Sequence, residues 1–305
     1  MRNQKWIVAV LFIVLTGVTV EAQTFTLDRN RDAGRLTLLE KGQPVFSFNY
    51  KPQLKKGVDE KYRRAGYFHP IYDLDGEPIT DDFPDDHYHH RGMWLSWPWM
   101  KYQGKKMQLW HPSPLKHEFD QLVDRNLTQN KARVILRNKW VVDGTAIGRE
   151  QWMVTVYRRS KNMRVMDVHI TAGAIEHPIQ VRGKQNANKG YGGLTVRAHP
   201  SLKGAKLLTD KGPRNNDATN VKFNWADIST NERGIAVLVH PSNPNSPQPW
   251  LLRNSYAGIL NPEWPGLEKQ TLKPGKPVKL KYRMIIHKGR ISADRIRKYF
   301  QTGAW

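Results

Sequence analysis

Alternation with a period of two dominates the chain beyond its first two dozen residues. In 278–286, Leu280, Tyr282, Met284 and Ile286 share one face of an extended segment, while Lys279, Lys281 and Arg283 share the other. β-rich or alternating runs also occupy 35–40, 44–50, 132–142, 151–157, 163–171 and 234–240. Asp143-Gly144, between two of these runs, reads as a hairpin turn, because both residue types tolerate the left-handed backbone of a two-residue loop. Only 291–300 has helical spacing, with Ser292 as its N-cap. There is no fixed-period repeat, which argues against a propeller or solenoid. The pattern predicts an all-β chain: one large antiparallel β-sandwich spanning 23–305, two packed sheets with a single C-terminal helix.

The first 22 residues read differently. Arg2 and Lys5 precede an apolar run over 6–20, and Val20-Glu21-Ala22 places small residues where a signal peptidase requires them. Those 15 apolar residues fall short of the roughly 20 that cross a bilayer. The expectation is a cleaved signal peptide over 1–22, export to the periplasm and no membrane attachment after cleavage.

Composition narrows the chemistry. Hydrophobic residues make up 39 % of 305, with 11 Trp, enough for a sizeable core. No cysteine is present, which excludes disulfide scaffolds, Cys-ligated zinc, iron–sulfur clusters and thiol nucleophiles. Lys and Arg number 49 against 27 Asp and Glu, a formal charge of +22, so a polyanionic partner is expected. Export and the lack of a nucleic-acid-binding motif argue against nucleic acid. A uronate- or sulfate-bearing saccharide fits better.

Two long stretches, 51–131 and 172–220, break the alternation and carry the candidate chemistry. In the first, Asp85, His87 and His89 would project from one face of an extended segment, and could close on a divalent metal. Two other readings stand beside that one: His87, His89 and His90 as metal-free catalytic or sugar-binding imidazoles, and a polar network with Arg91 neutralising the acids. His69 is a substrate-binding candidate in the same stretch. In the second, Gly190, Gly192 and Gly193 flank Tyr191, with Lys184 and Arg197 nearby. That is either an anion-binding rim or a plain connection between strands, and it lacks the lysine spacing of a phosphate loop. A third segment, 223–254, ends a strand at His240 beside Asn243 and Trp250. It offers a general acid or base and sugar contacts, or simply a capped strand end.

Several of these blocks occur together in a known family. Residues 67–70 (YFHP), 82–97 (DFPDDHYHHRGMWLSW), 191–197 (YGGLTVR), and 224–250 with its NWAD and GIAVLVHPSNP elements resemble a secreted bacterial family. That family is catalogued as a domain of unknown function or as "methane oxygenase PmoA". The oxygenase label conflicts with a chain whose one apolar segment is removable, since such a subunit crosses the membrane on several helices. The resemblance implies a β-supersandwich similar to galactose mutarotase, and company with carbohydrate-degrading genes. Mutarotases pair a His acid with a Glu base. No Glu stands convincingly in the motif blocks, and Glu150, Glu176 and Glu263 are candidates only by elimination.

The function expected from these readings is lyase or dehydratase chemistry on anionic oligosaccharides. Elimination beside a uronate needs a cation to stabilise the developing negative charge, a base for the carbon-bound proton, and an acid for the departing oxygen. Arg91 and Arg197 can supply the first, His87, His89, His90 or His240 the second, and Tyr191 or another His the third. Hydrolysis needs a separated carboxylate pair, which the adjacent Asp85 and Asp86 do not provide. The alternative is a non-catalytic sugar binder or an epimerase-like protein using the same cleft.

Overall fold

The computed structural model describes residues 23–255, 258–302 and 305, so the signal-peptide reading of 1–22 lies outside the described residues. The chain is all-β, with every strand pairing antiparallel. One nine-stranded sheet runs, in spatial order, Phe25–Asn30, Arg35–Glu40, Gln43–Asn49, Tyr67–Ile71, Met93–Ser96, Gly193–Arg197, Ile259–Pro262, Pro249–Arg253, Ala218–Lys222. A second nine-stranded sheet runs Gly212–Arg214, Lys206–Thr209, Trp225–Ser229, Arg233–Val239, Val278–Lys288, Met163–Ala174, Thr145–Tyr157, Lys131–Val142, Lys116–Leu127. The two-sheet expectation omits a third, four-stranded sheet built from Gln270–Leu272, Ile179–Arg182, Trp99–Tyr102 and Lys105–Met107. Three of its strands come from the two stretches that break the alternation. They are too short for period two to register there.

The alternation accounts for the core. Leu136, Trp152, Val168 and Leu280 point inward from successive strands of the second sheet, and Phe48, Phe68, Leu95, Leu194 and Leu260 do so from the first. Phe68 and Trp152 meet across the two layers with ring centroids 5.2 Å apart. Burying each such side chain contributes roughly 2–3 kcal/mol, and truncating one to Ala costs about 3–5 kcal/mol. Asp143 and Gly144 both have positive φ, 49° and 74°, in the tight turn between Lys131–Val142 and Thr145–Tyr157. Their residue types make that backbone accessible.

The helix spans Ala293–Gln301, and the Ser292 hydroxyl accepts a hydrogen bond from the Arg295 amide at 3.3 Å. Its buried Ile296 packs with Trp225, Leu238 and Ile285 over the outer face of the second sheet. Among the described residues, no helix is long and apolar enough to cross a membrane.

Candidate functional site

The face of the first sheet turned away from the core carries the candidate site. Phe68, Met93, Leu95, Leu194, Val196 and Leu260 fill the core, so the alternate positions point outward. Those are Tyr67, Trp94, Ser96, Thr195, Arg197 and Asn261, all buried beneath the long connections. Thr195 registers against Trp94 across paired strands. The Asn261 amide donates to Thr195 Oγ1 at 3.0 Å and to the Leu194 carbonyl at 2.6 Å, while Gly192 N–H donates to Asn261 Oδ1 at 3.2 Å. This ties the Gly-rich turn to the sheet.

Above that floor, residues 84–91 form two successive turns, with His87 N–H bonded to Pro84 O and His90 N–H to His87 O. The extended alternation expected for Asp85, His87 and His89 is therefore corrected: turn spacing puts His87 over His90 with parallel rings 4.6 Å apart. Asp85 points outward to the Lys55 ammonium at 2.8 Å. Among the described residues, no three His, Asp or Glu side chains are grouped to hold a metal ion. His89 lies 4.5 Å from His90 and 4.2 Å from His111 between ring centroids. Below them Trp94, Trp110 and Tyr191 continue the stack, at 5.4 Å and 4.6 Å.

Two buried arginines organise the cluster. Arg197 grips both oxygens of Asp86 at 2.8 and 3.0 Å, and its Nη1 sits 3.2 Å from His90 Nδ1. A guanidinium only donates, so His90 Nδ1 accepts and the ring proton is on Nε2. Asp86 also lies 3.1 Å from His87 Nδ1. The carboxylate charge beside it favours a proton on His87 Nδ1. Arg91, fully buried, donates to the carbonyls of Tyr88 at 2.8 Å, His90 at 2.6 Å, and Tyr62. Its guanidinium packs 3.7 Å over the Phe83 ring. It thus fixes the turns from behind instead of facing the cleft.

Burial sets the charge states. It drives His89 down to about 2, helped by His111 and His87, and holds His90 well below the ordinary histidine range. His111 is lowered by burial and by Lys184 and Arg64. Asp82, which accepts from the Tyr67 hydroxyl at 2.7 Å, is pushed up to about 6 by burial against the pull of Arg91. A cavity of about 400 Å³ reaches the cluster at Asp86 and Arg197 and is lined also by Lys55, Asp81, Asp85 and Lys203.

The structure brings together His87, His89, His90, Arg91, Tyr191 and Arg197, with Lys184 acting on His111. It places His69 on the flank, 3.1 Å from Thr80 Oγ1, where burial lowers it to about 3. His240, Asn243 and Trp250 do not join the cluster. His240 packs 4.9 Å from Trp305 and bonds Ser242. Asn243 is bound through its amide to Lys281 of the second sheet. Trp250 is a core residue whose Nε1 donates to Phe223 O at 2.8 Å. Their proximity in sequence to a rigid loop is satisfied by closing that loop, a purely local arrangement.

Sequence reasoning missed Arg64, Asp82, Trp94, Trp110 and His111 as members of the site. The last two lie beyond a hairpin, and only the third sheet folds them back. Of the three glutamates, Glu150 is buried in the core, accepting from Asn138, Trp140 and Trp152 at 2.8–2.9 Å. Glu176 is exposed. Glu263 is different: 1 % exposed, with neither carboxylate oxygen hydrogen-bonded among the described residues, and pushed up to about 9 by burial. A Cβ on Gly190 would lie 2.3 Å from its Oε2, so only glycine lets the Tyr191 loop close over it.

The sequence over 35–301 matches the DUF6807 family, described as a family of unknown function. The chain belongs to that family. No curated protein matches it. Among solved structures, this DUF6807 chain is similar to a mutant of the heparan sulfate lyase HepC from Pedobacter heparinus. There the TM-score is 0.44 and the identity 9 %, over 89 % of this chain and 38 % of the lyase. It is also similar to a GalM/aldose epimerase homologue from C. elegans, with a TM-score of 0.39 and 11 % identity, over 89 % of this chain and all of that one. The chain thus spans well under half the length of the lyase it matches.

Proposed function

We propose that this DUF6807 chain is an exported, periplasmic carbohydrate-active protein that acts on anionic, uronate- or sulfate-bearing oligosaccharides by elimination. One observation supports this reading above the rest: Asp86, shared by His87 and Arg197, lines a cleft together with Lys55, Arg197, Lys203, Asp81 and Asp85. Three cations thus stand beside three carboxylates, with Lys55 paired to Asp85 and Arg197 to Asp86, and the candidate base His87 adjoins this lining through Asp86.

In the proposed reaction the substrate carboxylate faces Arg197, Lys55 and Lys203. The His87 Nε2 lone pair takes the proton from the carbon next to that carboxylate. The electrons of the broken C–H bond first delocalise onto the carboxylate as an enediolate-like species, which the cations stabilise. They then form a carbon–carbon double bond as the neighbouring C–O bond breaks, and the departing oxygen takes a proton from the Tyr191 hydroxyl. Trp94 and Trp110 form the apolar floor beneath the imidazoles and exclude water.

The test is incubation with sulfated and unsulfated uronic oligosaccharides, followed by mass spectrometry and ultraviolet absorbance. An unsaturated product, formed by loss of water or of a sugar unit, supports the reading. Intact substrates throughout, with binding retained, would favour the sugar-binding alternative.

A further inference from the structure

The outer face of the second sheet carries a separate cationic surface. Arg137, Gln151, Thr171 and Lys279 register as one row across four strands. Flanking rows hold Ile135, Met153, His169 and Lys281 on one side and Lys139, Arg149 and Gly173 on the other. With strands about 4.8 Å apart, Arg137 and Lys279 stand about 14 Å from each other. A cavity of about 440 Å³ runs along the row, lined by Arg137, Arg149, Gln151, Thr171 and Pro277 among others. The helix covers Leu238 and Ile285 of this same sheet but not these rows.

Asp120 neutralises Arg137 and Lys139, and Asp124 neutralises Arg133. Arg149, Lys279 and Lys281 have no ion-pair partner among the described residues. In the flanking row, His169 Nε2 is buried with no hydrogen-bond partner among the described residues. The face thus combines unpaired cations, amide and hydroxyl groups at regular strand spacing, and a shallow groove. No Phe, Tyr or Trp side chain stands in the three rows to stack a nucleobase.

We propose that this face is a second binding site for an extended anionic polysaccharide. Arg149 and Lys279 would take its sulfate or carboxylate groups, and Gln151 and Thr171 its hydroxyls. It shares only the ligand class with the elimination reading and needs no catalysis. A chain bound there would stay associated while its free end reaches the histidine cleft.

The experiment measures equilibrium binding of the purified protein to immobilised heparin, to a neutral xylan and to duplex DNA, at fixed salt. Two proteins are compared with the parent: Arg149→Ser/Lys279→Ser/Lys281→Ser, and the charge-keeping Arg149→Lys/Lys279→Arg/Lys281→Arg. The three substituted positions lie on the outer face, so the Ser variant is expected to keep the parent's melting temperature, which is measured alongside. The proposal expects the Ser variant to lose about tenfold or more in heparin affinity, as three modest surface pairs together allow. The charge-keeping variant should bind within about threefold of the parent. Parent-like heparin binding by the Ser variant overturns the proposal. So does DNA binding as tight as heparin binding and equally lost in that variant, which would make the face a general polyanion patch. Elimination of a short uronic oligosaccharide at the parent's rate by the Ser variant, with its heparin affinity lost, separates this site from the cleft.

Discussion

Arg197 holds both oxygens of Asp86 while its Nη1 rests 3.2 Å from His90 Nδ1. This one side chain, brought in by a short strand next to Met93–Ser96, couples two histidines of different roles. It fixes the carboxylate that orients His87, and it fills the His90 nitrogen that would otherwise take a proton. The buried guanidinium is therefore the element on which the order of the cleft depends.

Removing the shared carboxylate should separate catalysis from folding. Asp86→Asn keeps the volume but loses the charge that orients His87, so kcat/KM should fall about 100-fold or more. Arg197 is then left buried against a neutral amide, at a cost of about 1–3 kcal/mol in stability. Steady-state kinetics with chemical denaturation of the same samples checks both.

Glu263 makes a pH prediction with a definite sign. Its carboxyl is raised from about 4.5 unfolded to about 9 folded, so the folded state binds the proton more tightly. Stability should therefore decline as pH rises through the window between those values. Glu263→Gln removes the penalty. The stability of the variant relative to the parent should rise by about 4 kcal/mol between pH 5 and pH 8, read from urea unfolding at each pH. A constant difference would show that the carboxyl has a partner.

The buried imidazoles act in the opposite direction. His89 and His90 are held below the ordinary histidine range by burial, so the unfolded chain takes up protons that the folded one refuses. Stability should fall as pH drops below about 6.5. His90→Gln should flatten that slope while abolishing the Arg197 contact, measured by unfolding at pH 7 and pH 4.5.

His240 and Trp250 test the boundary of the site. His240→Gln should leave turnover within about twofold of the parent, because its ring packs on Trp305. Trp250→Phe should cost roughly 1–3 kcal/mol, through lost core volume and an unsatisfied Phe223 carbonyl, with turnover per folded molecule unchanged. Thermal melts and kinetics on the folded fraction distinguish the two effects.

Long strands were legible because they repeat one decision many times. Leu280, Tyr282, Met284 and Ile286 alternate over enough residues to reveal an inner face, and Ser292 marks the helix start by its own cap chemistry. The short strands at Met93–Ser96 and Gly193–Arg197 gave no such signal, since four or five residues buried on both faces show no alternation. The histidine block was visible as a concentration of chemistry, but its geometry was not. Whether 84–91 extends or turns depends on Arg91 collecting the carbonyls of Tyr62, Tyr88 and His90, contacts that no local pattern encodes. His111 and Trp110 join through tertiary folding alone.

The most direct measurement follows the product formed from a uronate-bearing oligosaccharide by the parent and by His87→Ala. The account predicts an unsaturated sugar from the parent, at a rate at least about 100-fold above that of the variant, with both proteins equally folded. A parent that releases only saturated products, or a His87→Ala protein as fast as the parent, would contradict it.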